Sequence, residues 1–139
     1  MEIDTSTDFG QRVAGHLEND QVVWLTTVNP DQTPQPSPVW FLWDGDTVLI
    51  YSQPGTPKLR NIGQRPRVSL SFNSTPQGGD VVVLTGDAWT DSDTPPASNV
   101  PTYIEKYTGG IQSIGMSPED FARAYSVPVR VRPTSLRGH

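Results

Sequence analysis

The 139-residue sequence has no cysteine and only two histidines, His16 and His139. The first absence excludes disulfides and thiolate chemistry, and the second leaves neither a histidine pair for zinc nor a Ser-His-Asp set. No apolar run approaches the roughly 18 residues of a membrane-spanning helix. The amino terminus, MEIDTSTDFG, lacks the basic and apolar regions of a secretory signal. These absences predict a cytoplasmic protein without a membrane span.

Sequence motifs for binding nucleotides and nucleic acids are missing as well. The chain has no glycine-rich phosphate loop ending in Lys-Ser or Lys-Thr, and no G-x-G-x-x-G after a strand. Its net charge of −5 argues against a nucleic-acid partner, which needs an extensive basic face. No pair of acidic residues lies in a recognisable catalytic setting, so we assign no catalytic residue. If the chain is an enzyme, its hard chemistry therefore belongs to a bound cofactor.

Acidic residues are absent between Asp46 and Asp80, and positive charge collects in this segment. Four of the chain's ten cationic residues fall within ten consecutive positions there: Lys58, Arg60, Arg65 and Arg67. Such segregation suggests a local anion site, although an ordinary solvated basic face has the same composition. Thr56-Pro57 is typical of a helix start, where unpaired N–H groups and the helix dipole favour an anion, but such starts also occur without a ligand.

Hydrophobic periodicity and turn residues predict a mainly β chain. Alternating or β-branched runs predict six strands, at 21–28, 35–43, 48–52, 67–73, 81–90 and 127–133. Pro34, Pro36 and Pro38 indicate a sheet edge or the approach of a ligand, because proline cannot donate to a ladder. Gly86 predicts a bulge where the sheet bends. Short links between the first five strands are typical of a small closed or split barrel.

Capping residues and apolar spacing predict four short helices. They lie at 6–18, at 57–64, around 103–107 and after Ser117. The Gly109-Gly110 pair is predicted to end the third helix, and the tail after Pro133 is predicted to be loose. The length suits one domain, 1–139. Its predicted parts are an N-terminal helix (1–20), barrel strands (21–90), a helical segment (91–126) and a closing strand (127–133).

Three stretches in the centre of the chain carry the pattern of a known family. They are Tyr51-Ser52, the segment TPKLRNI at 56–62, and RPRVSLSF at 65–72. In this order they resemble the central segment of the pyridoxamine 5′-phosphate oxidase-like superfamily. The resemblance implies a six-stranded antiparallel split β-barrel of the FMN-binding type, and a homodimer with a flavin-type cofactor at its interface.

The similarity covers most of the chain, from Val22 through Ala88 and more weakly to the end. PSPVWF at 36–41, Trp43-Asp44-Gly45 and the closing segment from KYTGG are similar to the actinobacterial branch that uses the deazaflavin coenzyme F420. The resemblance therefore implies coenzyme F420 as cofactor, with FMN as the alternative.

By position, the resemblance implies nine cofactor-binding residues: Val39, Trp40, Phe41, Tyr51, Ser52, Thr56, Lys58, Arg60 and Asn61. Ser52, Lys58 and Arg60 would hold the cofactor phosphate, with Asn61 close by. Trp40 and its two neighbours would line the ring. One position departs from the pattern, because Pro57 stands where the oxidases that name the family carry an arginine. This departure argues against pyridoxamine phosphate oxidation and against FMN phosphate binding of that kind.

These expectations combine into one main hypothesis and two alternatives. The main hypothesis is an oxidoreductase in which reduced F420 passes hydride to an electron-poor small molecule, with the proton coming from solvent or from Tyr51. The first alternative is an FMN-dependent oxidoreductase of the same superfamily. The second is a non-catalytic protein that binds a flavin-like or tetrapyrrole ligand.

Overall fold

An antiparallel sheet of seven strands organises the chain in the computed structural model, which describes residues 1–139. The strands are β1 (Val23–Val28), β2 (Pro34–Val39), β3 (Leu42–Trp43), β4 (Val48–Ser52), β5 (Arg67–Ser71), β6 (Val82–Thr90) and β7 (Val127–Gly138). The helices are α1 (Asp8–Asn19), α2 (Pro57–Gln64), α3 (Pro101–Ser113) and α4 (Pro118–Ala124), with a 3₁₀ turn at Ala97–Asn99. The expected mainly β split barrel with short helices is confirmed.

The sheet order β2-β1-β5-β6-β7-β4-β3 corrects the predicted count of six strands to seven. The single strand predicted at 35–43 is two strands, because its halves pair at opposite edges of the sheet. Residues of β2 pair with β1, whereas Leu42 and Trp43 pair with β4. Trp40 and Phe41 lie in the break between them, where the chain crosses from one edge to the other.

The closing strand is longer than predicted, and the tail after Pro133 is not loose. Strand β7 continues to Gly138, which pairs with Val82 of β6. The long β6 needs a partner along its whole length, and β7 supplies it. The predicted irregularity at Gly86 is confirmed: the register shifts there, and a Cβ at Gly86 would lie 2.2 Å from the Arg132 carbonyl oxygen.

Two apolar clusters lie on the two sides of β4. Val48 and Ile50 join a barrel core of 17 buried residues, to which α1 and α2 contribute Val13, Leu17 and Ile62. Leu49 and Tyr51 face a second cluster, of eight buried residues, formed largely by α3 and α4. Because helices cover its outer face, all five residues of β4 are buried.

Local capping chemistry sets most helix ends as the sequence predicts. Thr7 caps α1 by accepting from the Gly10 N–H, α2 spans the predicted 57–64, and Ser117 and Asp120 form a capping box at α4. The prediction for α3 is wrong, because this helix runs through Gly109-Gly110 to Ser113. None of the helices has both the length and the apolarity required to cross a bilayer.

Candidate functional site

A cavity of about 390 Å³ lies where β2 and β4 end, α2 begins, and α3 and α4 pack over the sheet. Its lining residues are Pro38, Val39, Trp40, Tyr51, Ser52, Gln53, Thr56, Lys58, Tyr103, Ile114, Phe121 and Tyr125. The structure thus brings together six of the nine predicted cofactor-binding residues: Val39, Trp40, Tyr51, Ser52, Thr56 and Lys58. A cavity of this size is within the range of small-molecule sites.

One part of the lining is polar and surrounds the start of α2. The Thr56 side chain does not cap the helix, and its hydroxyl lies 3.2 Å from that of Ser52. Pro57 has no N–H, and the backbone N–H of Lys58 makes no hydrogen bond within the protein. Two hydroxyls and an unpaired helix N–H therefore lie at the positive end of the helix dipole, an arrangement suited to an anion.

The Lys58 ammonium adds a full charge to this polar part. It lines the cavity, is half-buried, and forms no ion pair or hydrogen bond with another side chain. Burial lowers the pKa of Lys58 from its ordinary value, because desolvation penalises the charged form. A bound anion would relieve that penalty, so the side chain fits an anionic group of a ligand.

The other part of the lining is aromatic. The Trp40 indole stacks on Tyr107 with ring centroids 4.7 Å apart, and on Phe121 at 5.6 Å. Phe121 in turn stacks on Tyr125 at 4.6 Å. Trp40 remains half-buried and borders the cavity. Trp40 and Tyr125 are the half-buried rings of this wall, so they are the ones that a planar aromatic ligand can contact.

Three tyrosines lie in or next to this wall, and their hydroxyls differ in hydrogen bonding. Tyr51 donates to the Pro95 carbonyl at 2.6 Å, and Tyr107 contacts the backbone of Phe41 and Gln21. Desolvation raises the pKa of Tyr51 to about 12, although Arg130 opposes the shift. The Tyr51 proton is thus held by a carbonyl, which favours solvent over Tyr51 as a proton source. The Tyr103 hydroxyl is buried and has no partner, which costs about 1–3 kcal/mol.

Three predicted cofactor-binding residues lie outside the cavity lining. Phe41 is fully buried in the barrel core. The Arg60 guanidinium donates to the Gly55 carbonyl at 2.8 Å and so holds the loop before α2. The Asn61 amide donates to Thr27 and Asn29 of β1 and its turn. Through these bonds Arg60 and Asn61 hold the loop before α2, and α2 itself, in place beside the polar part of the lining.

Sequence reasoning missed the lining residues from α3, α4 and their connection: Tyr103, Ile114, Phe121 and Tyr125. The spacing of four between Tyr103 and Tyr107, and between Phe121 and Tyr125, is a signal that two aromatic helix faces exist. It does not show that both faces cover β4. Pro38 and Gln53 also line the cavity as neighbours of predicted residues.

The free edge of β2 borders the cavity at Pro38 and carries acceptors only. Pro34, Pro36 and Pro38 pair with β1 but cannot donate, so they occupy its non-hydrogen-bonded positions. Their carbonyl oxygens consequently point away from β1, and no N–H group accompanies them. A ligand that reaches this edge at Pro38 must offer a donor.

Several kinds of chemistry lack the residues they need. The lining contains no Asp, Glu, His, Cys or Met. No group of three or more His, Cys, Asp or Glu residues in the chain is arranged to hold a metal ion. The cavity therefore offers side chains for binding, orientation and water exclusion, while none of them is an obvious acid, base or nucleophile.

Comparison with known proteins gives a family match and several similar structures. The family model described as "Pyridoxamine 5'-phosphate oxidase" matches residues 9–131. A solved structure named F420 reductase is 28% identical, with 88% of this chain and 94% of that chain covered and a TM-score of 0.64.

More distant structures share the fold. A conserved hypothetical protein from Mycobacterium tuberculosis is 21% identical, with 91% of this chain and 81% of that chain covered and a TM-score of 0.70. The haem storage protein HutZ from Vibrio cholerae is 12% identical over 99% of this chain and 95% of that chain, with a TM-score of 0.64. No functionally curated protein is significantly similar in sequence.

Proposed function

The chain belongs to the pyridoxamine 5′-phosphate oxidase family, and from that premise we propose that it is an oxidoreductase that binds deazaflavin coenzyme F420 in this cavity. The observation that carries the proposal is the pairing of an unpartnered Lys58 at a helix start with a flat aromatic wall around Trp40. A flavin-type cofactor has the matching parts, a negatively charged phosphate and a planar ring. The 28% identity to the F420 reductase favours the deazaflavin over FMN.

The chain's own residues have distinct roles in this proposal. Lys58, Thr56 and Ser52 bind the phosphate, while Arg60 and Asn61 hold α2 and its preceding loop in place. Trp40 and Val39 lie against the ring. The acceptor edge at Pro38 is suited to the N–H of the ring's pyrimidine-dione part. The bound cofactor supplies the hydride chemistry, and the protein orients it beside an electron-poor small molecule and excludes water.

The proposal is tested by titrating the purified protein with F420 while following tryptophan fluorescence, since Trp40 borders the cavity. Saturable quenching is expected, and Lys58→Ala should weaken binding about ten- to hundredfold, because a charge-assisted hydrogen bond is lost. Arg67→Ala is the matched control. It also removes one cation, but Arg67 contacts Asp87 and Thr134 away from the cavity, so its affinity should equal that of wild type.

Two results would contradict the proposal. One is an absence of quenching up to high micromolar F420, and the other is an equal loss of affinity in Lys58→Ala and Arg67→Ala.

A parallel FMN titration separates the alternative cofactor, because tighter binding of FMN than of F420 would favour an FMN-dependent oxidoreductase. Activity is then measured with the reduced cofactor and a panel of electron-poor alkenes and quinones. Tight cofactor binding without turnover across the panel would favour the non-catalytic alternative.

We also propose that the protein is a homodimer, as the family relationship implies. The most exposed large apolar side chains are Met1, Trp24 and Ile114, at 47%, 38% and 47% exposure. Ile114 also borders the cavity, so a partner covering it would close the open side of the site. In this proposal the partner covers Ile114, the one of these three side chains that lines the cavity.

A further inference from the structure

The Tyr103 hydroxyl stands out among the polar groups near the cavity. Its side chain is 0% exposed and lines the cavity, and its oxygen is the one buried side-chain N or O atom in the chain without a hydrogen-bond partner. The hydroxyls of its neighbours Tyr51 and Tyr107 both bond to backbone carbonyls. Phenylalanine at 103 would keep the same ring contacts without the penalty of an unpaired buried hydroxyl. The packing of the chain therefore gives this oxygen no role.

The surroundings of the hydroxyl define what it can bind. The Tyr103 ring meets Tyr51 edge-on at 5.0 Å and Phe121 in a stacked arrangement at 6.0 Å. Desolvation raises the pKa of Tyr103, and the neighbouring tyrosines add to the shift, so the hydroxyl stays protonated and can donate. A ligand group that meets it among aromatic rings must be flat and must carry a hydrogen-bond acceptor.

We propose that Tyr103 is a specificity-determining residue that donates a hydrogen bond to the carbonyl-type oxygen of a planar, conjugated substrate. The substrate's ring lies in the cavity against the half-buried ring of Tyr125, and its oxygen accepts from the Tyr103 hydroxyl. Neighbouring side chains cover the hydroxyl, so in this proposal Ile114, exposed at the end of α3, is the lining side chain that moves to admit the ring. This inference rests on the proposed oxidoreductase function for naming the ligand a substrate.

The test uses the full chain without cofactor and two probes of similar shape. Coumarin is a planar ring system with a conjugated carbonyl, and naphthalene is a planar ring system with no oxygen. Dissociation constants are measured by ligand-detected NMR titration for wild type and Tyr103→Phe. Coumarin affinity should fall about five- to tenfold in the variant, as expected for one lost neutral hydrogen bond, while naphthalene affinity stays unchanged.

Thermal unfolding of the unliganded proteins supplies a readout that a structural role would move. Tyr103→Phe should leave Tm unchanged or raise it, because no protein hydrogen bond is lost. Tyr107→Phe is the matched control, and its Tm should fall by several degrees because its hydroxyl bonds to the Phe41 backbone. A drop in Tm for Tyr103→Phe similar to that for Tyr107→Phe would overturn the inference.

The binding data can also overturn it. Equal coumarin affinity in wild type and Tyr103→Phe, equal losses for both probes, or no coumarin binding to wild type would each refute a donor role for Tyr103. An F420 titration of the same proteins separates this failure from failure of the proposed function. Equal coumarin affinity in wild type and Tyr103→Phe, together with intact F420 binding, refutes the Tyr103 inference alone. Absent F420 and FMN binding refutes the proposed function alone.

Discussion

Trp40 and Gly110 meet at a distance that leaves no room for a side chain on the helix. A Cβ at Gly110 would lie 2.9 Å from two carbons of the indole ring. The glycine therefore permits α3 to approach the ring that borders the cavity, and the stack of Trp40 on Tyr107 depends on it. The absence of a side chain at Gly110 thus allows one of the cavity's main walls to form.

Replacing Gly110 by alanine should force the indole to move. We expect a loss of about 1–3 kcal/mol in the free energy of unfolding, as for overpacked sites, together with a changed tryptophan emission spectrum. Gly109→Ala is the matched control, because a Cβ there meets nothing within 4 Å. In the helix interior that change should stabilise by about 0.5–1 kcal/mol. Urea unfolding measures both variants, and equal effects of the two substitutions would contradict the close contact.

At the scale of elements, His16 connects α1 to the loop before β6. Its Nδ1 lies 2.6 Å from an Asp20 carboxylate oxygen and its Nε2 lies 2.9 Å from one of Asp80, while its ring stacks on Phe72. Arg12 also pairs with Asp80, at 2.7 Å. Burial disfavours the charged imidazole, but the hydrogen bonds to the two carboxylates outweigh it and raise the pKa of His16 above 6.5.

This connection predicts a pH-dependent stability. A raised pKa in the folded state means that the charged His16 stabilises the fold fully below its ordinary pKa of 6.5. The contribution is lost as the pH rises through the higher, folded-state pKa. Urea unfolding over this range should show stability falling in wild type but not in His16→Gln. His139→Gln is the control and should keep the wild-type dependence; an unchanged dependence in His16→Gln would exclude the mechanism.

The titration of Lys106 changes the stability of the fold in the opposite direction, at higher pH. Its ammonium lies 3.7 Å from the centre of the Phe41 ring and donates to the Phe41 carbonyl. Desolvation lowers the pKa of Lys106 to about 8, although Asp20 opposes the shift. A lowered lysine pKa destabilises the fold at low pH, and this effect is relieved as the pH rises above about 8. Comparison with His16→Gln removes this contribution from the histidine measurement.

At the scale of the whole molecule, neither of the two sheet edges can readily pair with a further strand. The outer edge of β2 offers carbonyls but no N–H donors, so it cannot template a further strand with a complete ladder. The short β3 forms the other edge with two residues. Neither edge is therefore suited to sheet-to-sheet pairing, and a dimer would use side-chain surfaces such as those around Trp24 and Ile114.

The proposed dimer has a direct test. Size-exclusion chromatography with light scattering should give a mass twice the 15.3 kDa of the chain. If Ile114 lies at the interface, Ile114→Asp should shift the mass toward the monomer, because an apolar contact becomes a buried charge. Glu105→Lys, an exposed change on the preceding helix α3, serves as control and should remain dimeric. A wild-type monomer at low micromolar concentration would refute the dimer.

Much of the fold was open to prediction because its causes are local. Thr56-Pro57 begins α2, Ser117 begins α4, and the alternation of Val68 and Leu70 marks β5. Each depends on residues within one turn or one strand. The family resemblance likewise points to the segment around Lys58, and Lys58 lines the cavity.

Distant contacts decided the remainder. Gly109-Gly110 reads locally as a helix end, but packing against Trp40 and β4 outweighs the low helix propensity of glycine, and α3 continues. The tail after Pro133 becomes a strand because β6 provides a partner for it. Lys58 lines the cavity, whereas Arg60 bonds to the Gly55 carbonyl. The two side chains leave α2 in different directions, and the packing of α2 on the sheet decides which of them faces the cavity. The unpaired hydroxyl of Tyr103 is also a result of tertiary structure, because packing decides which hydrogen-bonding groups surround it.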